Sequence, residues 1–218
     1  MEILQSAVDL FLNIDEHLTT ALAQYGSWIY AILFLVIFME TGLVVTPFLP
    51  GDSLLFAAGA LAAVGEGLDI RLLIIVLTAA AILGDTVNYT IGRRWGRSIL
   101  DSGRFSRVIK PHYITDTEAF FVKHGGKTIT IARFFPFVRT FAPFIAGISH
   151  MDRSRFTMFN VAGGIAWVLL FTLAGYFFGN IPFVEKNLEV LILGIIGVSV
   201  IPTLYHAVKN RLKPRSAS

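Results

Sequence analysis

The sequence predicts an all-α integral membrane protein, built as an inverted repeat with two opposed re-entrant helical hairpins and additional transmembrane helices. Three observations support this fold class. Hydrophobic residues make up 55% of the 218 residues and charged residues only 15%, well below the roughly 25% charged residues of a soluble domain. Apolar runs of membrane-spanning length recur along the chain. Shorter apolar segments between them are interrupted by proline, glycine and charged residues.

Four weakly charged runs approach the roughly 20 residues that an apolar helix needs to cross a bilayer. They are residues 28–50, 72–92, 156–179 and 188–208. Two further apolar segments, 53–64 and 128–148, are too short or too broken to be ordinary spans. We expect these two to be re-entrant, because irregular backbone is tolerated inside a membrane only where it is buried in protein or lines a cavity.

The basic residues predict an orientation. Residues 93–127 contain eight Lys and Arg against three acidic residues, and the positive-inside rule places such a segment in the cytoplasm as a loop. The basic end of the chain falls on the same side, so residues 181–218 are expected to form a C-terminal transmembrane helix followed by a cytoplasmic tail. Residues 1–24 contain no Lys or Arg and have the apolar spacing of an interfacial helix.

Two segments suggest an internal repeat with halves of about 26–97 and 112–180. The first, FLPGDSLLFAAGAL, resembles the second, FFPFVRTFAPFIAGIS, with an Ala-Gly pair at 58–59 matching one at 146–147. Each segment is followed by a span with Gly-x-x-x-Gly, at Gly92/Gly96 and at Gly175/Gly179. The predicted orientation makes the two halves inverted, which is an architecture typical of transporters.

The apolar zone contains five ionisable side chains and one nearby amide, namely Glu40, Asp52, Asp85, Asn88, Arg133 and Arg139. An unpaired charge at the bilayer centre costs about 2.5–3.5 kcal/mol, so these charges must pair or contact water. The planar fork of arginine suits phosphate oxygens, which makes Arg133 and Arg139 candidate ligands of a phosphate head group. Glu40 and Asp52 are candidate proton carriers, because the protonation state of such a carboxylate can depend on whether an anion occupies the site. Asp85 and Asn88 are secondary candidates.

A structural interpretation of the same charges stays open. Arg139 and Asp52 could form a purely structural ion pair, Arg133 could extend to the cytoplasmic interface, and Asp85 could hydrogen-bond a broken helix. For Asp85 we favour the structural interpretation. For the charges in the two hairpin segments we favour function, because ionisable residues inside a membrane usually mark transport pathways.

Several other classes of protein are disfavoured. The chain has no cysteine, and its five histidines form no close ligand pair such as HExxH, so we expect neither a metal nor another cofactor. No nucleophile motif is present, so we do not expect an enzyme. The basic residues lie beside apolar segments, where they set topology, and nucleic acid is not an expected partner.

Four stretches resemble a known family: FMETGLVVTPFLPGDSLLFAAGALA, GDTVNYTIGRRWG, KHGGKTITIARFFPFVRTFAPFIAGISHM and NVAGGIAWVLLFTLAGYFFG. They are similar to the DedA family of bacterial inner-membrane proteins, whose VTT domain, here residues 25–180, is shared with eukaryotic lipid scramblases. The resemblance implies two opposed re-entrant hairpins and a role in lipid transport. It also implies that Glu40, Asp52, Arg133 and Arg139 occupy the acidic and basic positions that matter in the family.

The resulting functional prediction is a transporter of the bacterial inner membrane, driven by the proton-motive force, that flips undecaprenyl phosphate. Its partners would be an anionic lipid (a polyprenyl phosphate or a phospholipid), protons and the bilayer, and the Gly-x-x-x-Gly faces would also allow a homo-oligomer. Three alternatives remain: an uncoupled phospholipid scramblase, a proton-coupled cation exchanger, and a membrane scaffold whose charges serve only folding.

Overall fold

The computed structural model describes Thr20, Phe121, Ile181 and four longer stretches, which are residues 24–43, 51–65, 67–101 and 124–178. Every regular element within these residues is a helix, which confirms the all-α class. The helices are α1 (Ile29–Gly42), α2 (Gly51–Val64), α3 (Ile70–Asp101), α4 (Lys127–Ala132), α5 (Pro136–Ile148) and α6 (Arg153–Phe178), and a 3-10 turn at Gly26–Trp28 precedes α1.

Two helices, α3 and α6, are long and apolar enough to cross a membrane among the described residues. The apolar stretches are Ile70–Gly96 and Arg153–Phe178, and they match the predicted spans 72–92 and 156–179. The loop predicted to begin at Arg93 is wrong at its start, because the helix continues to Asp101. No proline interrupts this part of the sequence, so the helical hydrogen bonding can persist beyond the apolar run.

The other four helices are shorter than a membrane span. Helices α1 and α2 have 14 residues each, or about 21 Å at 1.5 Å per residue, whereas the hydrocarbon core of a bilayer is about 30 Å thick. The predicted span 28–50 is helical up to Gly42, and residues 44–50 lie outside the described part of the chain. So do the predicted span 188–208, the basic tail and nearly all of the predicted N-terminal helix.

The segment 128–148 is divided in two, in agreement with the prediction that it is broken. Helix α4 ends at Ala132, a turn follows at residues 133–135, and Pro136 begins α5. Proline is accepted at the first position of a helix because the amide N–H that it lacks would have no intrahelical partner there. This break places Arg133 in the turn and Arg139 in the first part of α5.

Helix α2 packs closely on α6 through two glycines. A Cβ atom added to Gly59 would lie 2.1 Å from the carbonyl oxygen of Thr172, and one added to Gly175 would lie 1.9 Å from that of Phe56. No side chain fits at these distances. The two backbones can therefore approach this closely only because both positions are glycine.

Helix α5 packs on α3 through an equivalent contact. A Cβ atom added to Gly147 would lie 2.2 Å from the carbonyl oxygen of Tyr89, and one added to Gly92 would lie 2.2 Å from that of Phe144. Gly147 is the sequence counterpart of Gly59 in the predicted repeat. Each contact therefore joins a short helix from one half of the chain to a long helix from the other half.

The polarity of the helix bundle is that of a membrane protein. Large apolar side chains are exposed, with Trp28 at 74%, Phe177 at 67% and Ile75 at 65%. Polar side chains such as Asn88 and Asn160 are fully buried. An apolar exterior, with polar side chains buried inside the bundle, suits hydrocarbon as the surrounding solvent.

Candidate functional site

Arg139 binds two carboxylates that come from the first half of the chain. Its Nη1 donates a hydrogen bond to Asp52 Oδ1 at 2.6 Å, and its Nη2 donates to Glu40 Oε1. Glu40 lies near the end of α1 and Asp52 in the first turn of α2, while Glu40 Oε1 also accepts the backbone N–H of Gly51 at 3.3 Å. Each of these side chains lies at or near a helix end, so the helix breaks bring three of the predicted site residues together.

Trp167 on α6 completes this cluster. Its indole Nε1 donates to Asp52 Oδ1 at 2.7 Å, and its ring centroid lies 5.4 Å from Arg139 Cζ and 5.9 Å from Arg133 Cζ. A tryptophan ring attracts both guanidinium groups through its π electrons. We did not predict this residue. The available signal was a tryptophan in the middle of a predicted span, whereas tryptophans in membrane proteins are enriched at the interface.

Arg133 forms a second cluster with Asp85. Its Nη2 donates to Asp85 Oδ2 at 2.6 Å, to Asn160 Oδ1 at 2.6 Å and to the Ala81 carbonyl at 3.3 Å. Both charged side chains are only 4% exposed. The interpretation that Arg133 extends to the interface is therefore wrong. Asp85 was expected to hydrogen-bond the backbone of a broken helix, and it pairs with Arg133 instead. Asn160 was also missed, although an amide within an apolar span needs hydrogen-bond partners.

Among the described residues, Asn88 makes no hydrogen bond to the charged side chains. Its Nδ2 donates to the carbonyl oxygens of Thr41 at 3.1 Å and Thr140 at 2.9 Å. The first carbonyl belongs to the last turn of α1 and the second to α5, so this amide joins α3 to both of these helices. These contacts support the packing of the site, and a role for Asn88 in binding stays a prediction.

The two clusters border one small cavity, which is lined by Glu40, Thr41, Asp85, Arg133, Arg139, Thr140 and Trp167. Its volume is about 10 Å³, which is room for one water molecule at most. Glu40 Oε2 and Arg133 Nε have no hydrogen-bond partner among the described residues. Two arginines against three carboxylates leave one excess negative charge when all five groups are ionised. The site is thus closed, densely charged and slightly acidic.

No metal centre is evident at this site. Among the described residues, no group of three or more His, Cys, Asp or Glu side chains could hold a metal ion. Each carboxylate of the site is paired with a guanidinium group, Glu40 and Asp52 with Arg139 and Asp85 with Arg133.

Comparison with known proteins assigns the family. The VTT domain matches residues 49–177. The chain is 51% identical over 212 residues to Protein DedA of Escherichia coli (strain K12), covering 97% of this chain and 96% of that protein. The chain belongs to the DedA family. The region that matches the VTT domain contains Asp52, Asp85, Arg133 and Arg139, whereas Glu40 lies before that region.

Two further relatives are named only as membrane proteins. An uncharacterized membrane protein of Mycobacterium leprae is 50% identical over 172 residues, covering 79% of this chain and 76% of its own. The inner membrane protein YghB of Escherichia coli (strain K12) is 35% identical over 212 residues, covering 93% and 96%. No solved structure matches the chain. Family membership and the apolar helices α3 and α6 together identify a membrane protein.

Proposed function

We propose that this DedA-family protein is a lipid transporter that uses the proton-motive force to flip undecaprenyl phosphate across the bacterial inner membrane. The observation that carries the proposal is the buried cluster in which both arginines already hold carboxylates. Apolar residues of similar volume often stabilise a protein as well as a buried ion pair does. Five charges inside the helix bundle, three of them buried, are therefore an expensive way to build a core, and they favour a functional role.

The proposal includes the membrane topology predicted from the sequence. In it, α2 and the broken α4–α5 segment are re-entrant and enter from opposite faces, and the halves 26–97 and 112–180 are inverted. The short lengths of these helices and the two equivalent glycine contacts support this arrangement. The basic end of α3 and the C-terminus would face the cytoplasm.

Phosphate and carboxylate compete for the same donors in the proposed mechanism. While Glu40 and Asp52 are ionised, they occupy both ends of the Arg139 fork. A proton on either carboxyl group weakens this hold and also cancels the excess negative charge. A phosphate group can then bind the fork through two charge-assisted hydrogen bonds.

This competition makes the proton and the lipid travel together. The phosphate binds when the carboxylates are protonated, and loss of the proton restores the ion pairs and expels the phosphate. Proton flow into the cell would therefore drive the lipid from the outer to the inner leaflet. Only the head group needs the polar site, because the polyprenyl chain can stay in the bilayer.

The site must open during this cycle. A cavity of about 10 Å³ is too small for a phosphate group, so the described conformation is an occluded one. The helix breaks after Gly42 and at residues 133–135 are the places at which the charged segments can separate. Inverted repeats allow the two sides to open alternately.

A proton-coupled cation exchanger is the second candidate, and the excess negative charge favours it. In that case Glu40 and Asp52 would bind the cation and the arginines would tune their affinity. The contact between each carboxylate of the site and an arginine favours the anionic lipid instead, because a cation would have to displace a guanidinium group.

The test is Arg139→Lys in proteoliposomes, because lysine keeps the charge but lacks the planar fork. Labelled undecaprenyl phosphate and a labelled phospholipid are followed between leaflets with and without a pH gradient. We expect gradient-dependent transfer of the polyprenyl phosphate alone. Transfer by Arg139→Lys should fall about ten-fold or more, because a hydrogen bond to a charged group contributes about 1.5–3 kcal/mol. Arg155→Lys, an exposed position on α6, is the matched control.

Each alternative gives a different result. Equal transfer of both lipids without a gradient would identify an uncoupled scramblase. Cation-for-proton exchange without lipid transfer would identify the exchanger. Wild-type transfer by Arg139→Lys would contradict binding of phosphate by the arginine fork.

A further inference from the structure

A second cavity lies at the basic end of α3, apart from the charged core. Its volume is about 470 Å³, and it is lined by Tyr89, Thr90, Arg93, Arg94, His150 and Arg153. This volume falls in the range of known ligand sites, about 300–1,000 Å³. Arg93 lies roughly 12 Å along the helix axis from Asp85 at 1.5 Å per residue. Three arginines and one histidine line the cavity, and no carboxylate among the described residues does.

Hydrogen bonds hold one wall of this cavity in place. The buried Tyr89 ring stacks on Phe156 with a centroid distance of 4.2 Å, and its hydroxyl group donates to the Met151 carbonyl at 2.5 Å. Arg93 Nη1 donates to the Tyr89 hydroxyl oxygen at 2.6 Å and to the same carbonyl at 3.1 Å. These bonds attach the basic end of α3 to the turn between α5 and α6, so the site is largely formed before any ligand binds.

His150 occupies a backbone position that favours glycine. Its φ is +51°, in the left-handed region. The Met151 N–H donates to the Ala146 carbonyl and the His150 N–H to the Gly147 carbonyl, both at 3.0 Å, which is the Schellman arrangement that ends many helices with glycine. Histidine is tolerated there at an energetic cost. Because the fold alone would be better served by glycine, the imidazole at the cavity wall points to a role in binding.

We propose that this cavity, which faces the cytoplasm in the proposed topology, binds a phosphate monoester group. Such a group has a negative charge and three acceptor oxygens, which suit the donors of Arg93, Arg94 and Arg153. Basic pockets between membrane helices on the cytoplasmic side are a known type of site for lipid head groups. A lipid head group and a free phosphate ion offer the same chemistry. The site does not depend on transport through the charged core.

The test measures binding to the full chain in an uncharged detergent by titration calorimetry. The probes are dihexanoyl phosphatidic acid, inorganic phosphate and dihexanoyl phosphatidylcholine. The variant Arg94→Gln/Arg153→Gln removes two charges from the cavity, and Arg71→Gln/Arg155→Gln removes two exposed charges outside it. We expect the affinity for phosphatidic acid to fall about ten-fold or more in the cavity variant, since charge-assisted contacts are lost, and to stay within about two-fold in the control.

His150→Gly separates binding from folding. Glycine relieves the left-handed backbone position, so the unfolding temperature should not fall, whereas the affinity for phosphatidic acid should fall. Unchanged affinity in both cavity variants would overturn the proposal, as would equal losses in the cavity and control double variants. Equal binding of phosphatidylcholine would also overturn it.

The remaining probe identifies the source of the phosphate. Weaker binding of inorganic phosphate than of phosphatidic acid would assign the cavity to a lipid head group. Equal binding of the two would assign it to a free phosphate ion. Lipid transfer is not measured in this test, so its failure would not contradict the proposed transport function. Failure of the transport test would likewise not contradict binding of phosphate in this cavity.

Discussion

Breaking the ion pair between Arg133 and Asp85 should destabilise the protein far more than removing both charges. The pair is 2.6 Å long, and each side chain is 4% exposed. In Asp85→Leu the hydrogen-bond acceptors left to the buried guanidinium group would be the neutral oxygens of Asn160 and Ala81. Loss of one partner from a buried pair costs about 3–5 kcal/mol, and we expect that cost for Asp85→Leu and for Arg133→Met.

The double variant should recover most of this loss. With both charges replaced by apolar side chains, the main remaining defect is Asn160 Oδ1, which loses the guanidinium donor. An unsatisfied buried acceptor costs about 1–3 kcal/mol. We therefore expect the double variant to be about 1–3 kcal/mol less stable than the wild type, and more stable than either single variant.

Reversible unfolding in mixed micelles, for the wild type and the three variants, gives the coupling energy as a double-mutant cycle. A double variant as unstable as the sum of the two single variants would refute the reasoning. Lipid transfer by the double variant then tests the pair as a whole. If both Asp85 and Arg133 are only structural, the folded double variant should retain transfer.

Gly59→Ala should lower the unfolding temperature more than Gly42→Ala. The added Cβ atom would lie 2.1 Å from the Thr172 carbonyl oxygen in Gly59→Ala, but no closer than 3.4 Å to any atom in Gly42→Ala. Equal effects of the two variants would contradict the close packing of α2 on α6. Asn88→Ala should lower the unfolding free energy by about 1–3 kcal/mol, because the carbonyl groups of Thr41 and Thr140 each lose a donor. An unchanged unfolding free energy in micelles would refute this prediction. At the start of α3, the backbone N–H groups of residues 72 and 71 hold the pKa of the Asp69 carboxyl group below its ordinary value of 3.8. Its contribution to stability is therefore fully present above pH 3.8 and is lost as the pH falls through the lowered pKa. Asp69→Asn should lower the unfolding temperature at neutral pH but not in acid, and a pH-independent difference would contradict the assignment.

Local sequence features predicted the helices and the candidate charges, whereas the contacts between them depend on tertiary packing. Apolar length predicted α3 and α6, and proline predicted the break before α5. The partners of Arg139 could not be predicted from local sequence features, because Glu40 and Asp52 lie in the other half of the chain and reach Arg139 only through tertiary packing. Trp167 and Asn160 were missed because each is a single polar group within a long apolar run. A buried indole N–H or amide needs a hydrogen-bond partner. This requirement could have indicated both residues, but the high mean hydropathy of the surrounding run gives no sign of it.

The two glycine contacts suggest why protonation could open the proposed transporter. They divide the charged residues between two closely packed groups of helices. Helices α1 and α5 pack on α3 and contribute Glu40 and Arg139, whereas α2 packs on α6 and contributes Asp52 and Trp167. The Arg139–Glu40 bond therefore lies within one group, and the Arg139–Asp52 bond joins the two.

In the proposed cycle, a proton on Asp52 weakens one of the bonds that cross between the groups and leaves the glycine contacts within each group intact. Backbones as close as those at Gly59 and Gly147 resist internal rearrangement, because interiors packed at this density transmit strain. The helix ends that carry Asp52 and Arg139 would then separate, while α3 and α6 stay joined through the hydrogen bonds of Asn160 to the Ile82 carbonyl and to Thr86 Oγ1. Its fork becomes accessible to a phosphate group at the moment when its carboxylate partner is neutral. In the proposed cycle, the ion pair that closes the site is thus also the element on which the proton gradient acts.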